Sequence, residues 1–577
     1  MGNRIRWSFL DHVKFRGSKP SAGISRRDFL KGSAILAAGL SLPGCSSLRT
    51  LRNTFRSLSG NFDVILRNGT VVDGTGEASY RADIGIQDDE IAAIGNLSEA
   101  HANTVFDCSK YHIFPGFVDL HSHSDYVLFE DRRALSKIFQ GVTTEIVGQD
   151  GRSPGPFTPK LARAMHSYME SRYGKLPFWD SVKGYYDALE DLGPTVNVKT
   201  MIGSGVLRQG QAGYTRRKLD KGEMRTIRGL IDDAMDQGAC GLSSGLEYMP
   251  NAHSDTDELI AMCEGVGLYS THMRNEDDRV LEAMIEAIRI AREGNVRLNI
   301  SHFKLQGQRN WDKANNAFHI IAEARSGGLK LTMDRYPYTA YHTALNSLFP
   351  IWAQKKGLNL SLARGRDGDV LRRQVDDKIS GIGGYDRIRL GVVYSQKYKQ
   401  YSGKTLAEIA RSKGMPPYEL MFDIASSGSA STVVFAMSEE NLIRIYRDPF
   451  SAVASDGSGL SPGMKGNPHP RNYGTFSHFL SYFVQKKGIM SLEEAVRKCS
   501  SLPAEIAGLE DRGRIEPGWK ADLAIFDMSR VQAYANYDNP IRLSAGVEGL
   551  LVNGRFVIRN GRFNGSYPGR PLRERTV

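Results

Sequence analysis

The sequence predicts an α/β protein, a (β/α)8 barrel of the TIM type joined to a small β-sandwich domain built from both chain ends. Three observations predict it. Eight short apolar, β-rich runs, at 113–120, 143–148, 196–203, 239–244, 267–272, 297–302, 329–336 and 451–455, each end in a polar or glycine-rich break. Helical patterns such as Thr256 to Val266 and Arg279 to Glu293 alternate with these runs, the rhythm of βα units around parallel strands. Near each chain end, in 62–72 and 550–558, Asn-Gly stands between β-branched runs, the strongest short-range hairpin signal.

The first element is an address rather than a domain. Ser25-Arg26-Arg27-Asp28-Phe29-Leu30-Lys31 is a twin-arginine signature, and the weakly hydrophobic stretch from Gly32 to Leu42 is too short to span a bilayer. Residues 1–45 are expected to direct export of the folded chain to the periplasm or cell envelope. Leu42-Pro43-Gly44-Cys45 is similar to a lipobox, in which Cys45 would carry a lipid anchor; cleavage without a lipid is the alternative. Residues 46–61 follow as a linker. Twin-arginine export of a folded chain suits a protein loaded with a cofactor before export, which points to a metalloenzyme.

Most of the formal charge of +11 sits in the first 60 residues. The first 60 residues hold eleven Lys or Arg against Asp11 and Asp28, and the rest holds 64 basic and 62 acidic residues. A nearly neutral body excludes a nucleic-acid partner, which needs a basic face. The five cysteines, Cys45, Cys108, Cys240, Cys263 and Cys499, form no CxxC pair and no disulfide framework, so the last four are expected to be small buried residues.

The β-sandwich is expected to combine 62–114 with 510–577, where Ala521 to Phe526 offers a further strand, and the barrel to occupy 115–509. The stretch around 345–430 is too long for one connection and is expected to be an insertion between the last two strands, placed to cover the site as a lid.

The barrel's chemistry is expected at the C-terminal strand ends. In Pro115-Gly116-Phe117-Val118-Asp119-Leu120-His121-Ser122-His123-Ser124-Asp125, His121 and His123 share one face of a strand end. His272, in Thr271-His272-Met273-Arg274, and His302, in Ser301-His302-Phe303-Lys304, end two further runs. Four histidines at strand ends point to a metal site. Asp456, in Ala454-Ser455-Asp456-Gly457, ends the last run and suits a general base for a metal-activated water that then protonates a leaving amine.

These windows, with Gln140-Gly141-Val142-Thr143-Thr144-Glu145, Gly241 to Tyr248, Tyr336-Pro337-Tyr338-Thr339-Ala340 and His469 to Phe476, resemble the N-acyl-D-amino-acid deacylases (D-aminoacylases) of the amidohydrolase superfamily, in colinear order over about 62–575. The resemblance implies a metal-dependent amidohydrolase barrel with a β-sandwich satellite that hydrolyses N-acyl-D-amino acids to a carboxylate and a free D-amino acid. By matching position it implies His121, His123, His272 and His302 as metal ligands and Asp456 as the catalytic acid/base. It further implies Lys304, Tyr248, Tyr338 and Arg471 as the groups that hold the substrate's α-carboxylate or orient its amide. An Arg fork grips a carboxylate in two bonds, and Lys and Tyr add single donors.

One position departs from the family. Where its members carry a metal-ligating Cys, Val147-Gly148-Gln149-Asp150-Gly151 offers Asp150, so Asp150 is expected as the fifth ligand. A carboxylate binds or bridges zinc but is harder than a thiolate and better suited to manganese, cobalt or iron. The expected cofactor is therefore one or two divalent ions, zinc first, with manganese, cobalt or iron as alternatives. Two other readings stay open. One is another amidohydrolase reaction, on a cyclic amide, dipeptide or lactone or a deamination; the other is a lipid-anchored binding protein without turnover.

Overall fold

The structure, a computed structural model, describes residues 61–359, 362 and 365–574. The twin-arginine segment, the lipobox with Cys45 and the linker to residue 60 lie outside the described residues.

The described chain opens with five strands, β1 (Phe62–Val71), β2 (Tyr80–Gln87), β3 (Glu90–Gly95), β4 (Ala102–Asp107) and β5 (His112–Pro115). A run of strands and helices follows. Its strands are β6 (Phe117–Asp119), β7 (Val142–Val147), β8 (Asn197–Thr200), β9 (Ile202–Gly203), β10 (Leu242–Gly245), β11 (Leu268–His272), β12 (Arg297–Ile300) and β13 (Leu331–Arg335). Three helices of the chain matter below: α1 (Leu135–Ile138), α2 (Val280–Glu293) and α3 (Gly365–Ile382). Next come β14 (Ala340–Ala344), β15 (Ile388–Val393), β16 (Ala430–Phe435) and β17 (Ser451–Val453), and the chain closes with β18 (Leu523–Phe526), β19 (Val547–Val552), β20 (Arg555–Arg559) and β21 (Arg562–Phe563).

Strands β9, β10, β11, β12, β13 and β17 pair in that order in one parallel sheet, and β6, β7 and β8 in another. Only Met201 separates β8 from β9, and beyond the other edges Ser122 bridges Gly457 in the parallel sense. In α2, Val280, Ala283, Met284, Ala287, Ile288 and Ala291 face inward at helical spacing, joining one core with Leu298, Ile300, Leu331 and Met333 of the strands. Among the described residues, no helix is long and apolar enough to cross a membrane. Cys108, Cys240, Cys263 and Cys499 are free and buried, and burial pushes each thiol's pKa up.

The two chain ends share a nine-stranded sheet in the order β21-β20-β19-β18-β5-β1-β2-β3, with β4 also on β1. At 550–558 the expected hairpin is present. Asn553 (φ 47°) and Gly554 (φ 74°) both take the left-handed conformation that a two-residue turn between β19 and β20 requires. At 62–72 it is absent. β1 runs straight through Asn68-Gly69, both of its halves pair with β2, and the register shifts between Leu66 and Gly69, so the dipeptide forms a bulge. Asn68 (φ 58°) anchors it by donating its backbone N–H to Asp83 Oδ1 at 2.8 Å. The long-range partners β2, β4 and β5 take every edge that a local hairpin would have used.

Two further expectations change in detail. The run 113–120 is two strands in different sheets, β5 on β1 and β18 and β6 on β7, with the break at Gly116. A Cβ there would collide with the Thr143 side chain, so the chain passes between sheets at a residue without one. The insertion is wider than 345–430. Its antiparallel sheet β14-β16-β15 begins with Ala340 paired to Phe435. It has its own core, in which Leu371, Val375 and Ile379 of α3 meet Leu345, Leu390 and Leu420.

Candidate active site

The strand ends converge as the parallel arrangement requires. His121 and His123 follow β6, Asp150 follows β7, His272 closes β11, His302 follows β12 and Asp456 follows β17. Asp150 (φ 55°), His302 (φ 36°) and Asp456 (φ 48°) are all left-handed, so three of the six side chains are held at positions that strain a non-glycine backbone.

Asp150 stands between two groups. Its carboxylate lies 3.5 Å from His121 Nε2 and 3.6 Å from His123 Nε2 on one side, and 3.5 Å from His302 Nε2 and 4.0 Å from His272 Nδ1 on the other. Asp456 Oδ1 completes the first group, 3.1 Å from His123 Nε2 and 3.8 Å from His121 Nε2. His121, His123, Asp150 and Asp456, and Asp150, His272 and His302, are two metal-sized clusters that share Asp150. His121 Nε2 and Asp150 Oδ1, which face each other across the centre, are buried and without a hydrogen-bond partner. Buried polar atoms rarely go unpaired, and converging N and O donors of this kind fit a divalent cation.

Electrostatics keeps the two carboxylates ionised. Burial would push the Asp150 carboxyl up, but the facing His121 and His302 hold it well below the usual range. Burial acts the same way on Asp456 and is overridden by the Arg471 guanidinium and His302. Arg471 donates from Nη1 to Asp456 Oδ2 at 2.7 Å and from Nη2 to Oδ1 at 3.1 Å, while its Nε has no partner.

The four residues expected to hold substrate separate. Arg471 reaches the centre through Asp456. Tyr248 packs its ring 4.7 Å from that of His272. Lys304 lies at the centre but is buried and committed, donating to Glu276 Oε1 at 2.7 Å and to the His302 carbonyl at 3.1 Å. Tyr338 is not brought to the centre. Its ring stacks on His478 at 4.9 Å and meets His469 at 5.2 Å, with its hydroxyl over Gly474. The spacing after Tyr-Pro-Tyr instead carries His342 of β14 toward the centre. Burial and the Arg471 charge push its pKa down to about 3, with Asp456 and His123 also in range.

Three acidic residues at the centre had no signal in the sequence. Glu276 Oε1 lies 3.1 Å from His302 Nδ1, and Lys304 Nζ, which donates to Glu276, lies 2.7 Å from the same nitrogen, so both groups back the His302 ring. Asp334 of β13 lies 3.6 Å from His121 Nδ1 and accepts the His302 backbone N–H at 2.8 Å. Glu247 faces His272 Nε2 at 3.5 Å. Only the fold singles them out: Glu276 and Asp334 lie in ordinary polar contexts along the chain, and Glu247, though inside the Gly241 to Tyr248 window, is given no role by it. The insertion closes on the same rim, where Lys378 of α3 pairs with Asp277 at 3.3 Å.

Comparison with known proteins agrees with this geometry. Residues 104–558 match the model of the amidohydrolase family, and residues 23–43 match the twin-arginine translocation signal. The chain is 32% identical over 521 residues to a D-aminoacylase of Alcaligenes xylosoxydans xylosoxydans, covering 90% of this chain and 99% of that one. It is 29% identical to an N-acyl-D-aspartate deacylase of the same organism, covering 91% and 97%. Among solved structures it is similar to an N-acyl-D-glutamate deacylase from Bordetella bronchiseptica, complexed with zinc and a phosphonate inhibitor that mimics the tetrahedral intermediate. The TM-score is 0.76 at 30% identity, over 89% of this chain and 100% of that one.

Proposed function

The chain belongs to the amidohydrolase family, and from that premise we propose that it cleaves the linear amide of N-acyl-D-amino acids, releasing a carboxylate and a free D-amino acid. The observation that carries the reading is the shared position of Asp150 between His121, His123 and Asp456 on one side and His272 and His302 on the other. Its relatives across this length are a D-aminoacylase, an N-acyl-D-aspartate deacylase and an N-acyl-D-glutamate deacylase.

His121, His123, Asp150, His272 and His302 would hold one or two divalent ions, zinc first, as in the glutamate deacylase, with Asp456 beside them. Bound there, the metal supplies Lewis acidity, polarising the amide carbonyl and lowering the pKa of water. Asp456 takes the proton from the attacking water and returns it to the leaving nitrogen, so the C–N bond breaks to give a neutral amine. Glu276 backs the His302 ring, and Asp334 holds the His302 backbone N–H and faces the His121 ring. The Arg471 fork, with Nε unpartnered, is the group suited to the substrate's α-carboxylate, with Tyr248 beside it and Lys304 acting through Glu276.

The finer architecture belongs to the same reading. The two parallel sheets form one (β/α)8 barrel over 115–509, supported by the run of β8 into β9 and the Ser122–Gly457 bridge. The nine-stranded terminal sheet belongs to a β-sandwich domain of 62–114 and 510–577. The twin-arginine signal takes the folded chain out of the cytoplasm, and Cys45 anchors it by lipid; mass spectrometry of the mature N-terminus decides that point.

The test is an amine-release assay on purified protein reconstituted with zinc, manganese or cobalt, against matched N-acetyl-D- and N-acetyl-L-amino acids. Turnover confined to the D series is expected, with Asp456→Asn lowering kcat by about 10²- to 10⁴-fold while metal stays bound. Turnover on neither series, with metal bound, moves the substrate to another amide.

A further inference from the structure

Beneath the histidines lies a buried ion cluster that neither the chemistry nor the relatives' names assign. Lys137 of α1 has no exposed side-chain surface, nor do its partners Asp119 and Glu145. Its Nζ donates to Asp119 Oδ2 at 2.6 Å, to Ser455 Oγ at 2.8 Å, to the Gly457 carbonyl at 3.2 Å and to Ser122 Oγ at 3.4 Å, and lies 3.1 Å from Glu145 Oε1.

Apart from Glu145, these contacts fall on two separate stretches of chain. One is 119–124, which carries His121 and His123. Asp119 begins it, and Glu145 on the neighbouring strand accepts Ser122 Oγ at 2.6 Å and Ser124 Oγ at 2.7 Å. The other is 455–457, which carries Asp456. Asp119 Oδ1 accepts the Ser455 N–H at 2.8 Å, and Asp119 Oδ2 accepts its hydroxyl at 2.5 Å. Each of the three active-site side chains is flanked by a residue bound to this cluster. The stretches also meet directly, Asp456 N–H on the His121 carbonyl at 2.8 Å and His123 N–H on the Gly457 carbonyl at 2.9 Å.

We propose that Lys137 is a positioning residue, whose ammonium ties the segment carrying His121 and His123 to the loop carrying Asp456 and so sets the separation of the three groups. The inference rests on the metal-dependent reading above. Burying three charges is costly, and replacing such a cluster by apolar residues is often stabilising. Stability is therefore a weak reason for it, whereas registering two segments is a role that only such a multivalent donor fills. The strained φ of 48° at Asp456 calls for such restraint, since a residue there relaxes unless its neighbours hold it.

The test compares the parent with Lys137→Met and with Lys137→Met/Glu145→Gln. The double variant keeps the cluster's net charge at −1 and so remains informative where the single one fails to fold. Thermal melting establishes folding, zinc affinity is read by chelator competition, and kcat and KM are read on an N-acetyl-D-amino acid. The expected result is a folded double variant with zinc affinity down about 10- to 100-fold, the range for residues that orient metal ligands, and with kcat down while KM changes little. A folded double variant with parental zinc affinity and parental kcat overturns the proposal and leaves Lys137 a core ion pair. Should the parent turn over no N-acyl-D-amino acid, the substrate reading fails while the zinc measurement still decides the role of Lys137.

Discussion

Arg471 grips Asp456 with both terminal guanidinium nitrogens, at 2.7 and 3.1 Å, so the proposed acid/base and the proposed carboxylate receptor are one bonded unit. A substrate α-carboxylate that draws on this fork acts on Asp456 as well. Parent enzyme should therefore prefer an N-acetyl-D-amino acid to its methyl ester. Arg471→Lys keeps the charge but loses the fork, and should cut kcat/KM for the acid by about 10- to 100-fold while narrowing the acid-to-ester ratio. An unchanged ratio in the variant would move the carboxylate site elsewhere.

Asp150 stands where relatives are expected to carry Cys, and its carboxylate lies within 4.0 Å of all four histidines. Asp150→Ala should lose metal from both clusters. Asp150→Cys should retain it and shift preference from manganese toward zinc and cadmium, since thiolate is the softer ligand. Metal content after dialysis against equimolar mixtures measures both, and full retention by the alanine variant would remove Asp150 from the ligand set.

Far from the site, Lys498 is buried with its Nζ on the carbonyls of Asp448 at 2.6 Å and Ser451 at 3.2 Å. Burial lowers its pKa from 10.5 to about 8 despite Glu494 at 3.4 Å. Between those two pH values the unfolded chain binds a proton that the folded chain has released. Stability then rises with pH, by at most about 1.4 kcal/mol per unit. Urea midpoints at pH 8 and pH 10 should show the parent gaining relative to Lys498→Met; parallel slopes for the two proteins would exclude Lys498 as the source.

Gly116 marks where the chain leaves the terminal sheet for the parallel one. Gly116→Ala drives its Cβ into the Thr143 side chain, and a well-packed core charges about 1–3 kcal/mol for that overlap. The melting temperature should fall, and Thr143→Ala in the same chain should restore part of the loss.

The candidate site was largely legible because it sits at strand ends. His121 and His123 are two apart on one strand end, and His272, His302 and Asp456 each close a β-rich run, so a parallel arrangement brings them together without further information. Tyr338 shows the limit. Its place in a motif suggested a substrate contact, yet its ring packs on His469 and His478, while His342 of β14 is the side chain within range of Arg471, Asp456 and His123. Lys137, Glu276 and Asp334 carried no pattern, since a buried charge differs from a solvated one only in what surrounds it.

The two Asn-Gly dipeptides divide what local sequence determines from what tertiary structure decides. Local chemistry set the left-handed backbone in both places, Asn68 at φ 58° and Asn553 at φ 47°. At 553–554 the adjacent arms are each other's best partners, and the conformation becomes a hairpin. At 68–69 one strand, β2, pairs with both arms while β4 and β5 line the other edge, and the same conformation becomes a bulge in a continuous strand. The residues determined the backbone angles, the alternation of strands and helices and the set of metal-binding side chains. Which edges pair, which charges are buried and which tyrosine packs against the histidines were decided by competition among distant segments for the same hydrogen bonds and the same apolar volume.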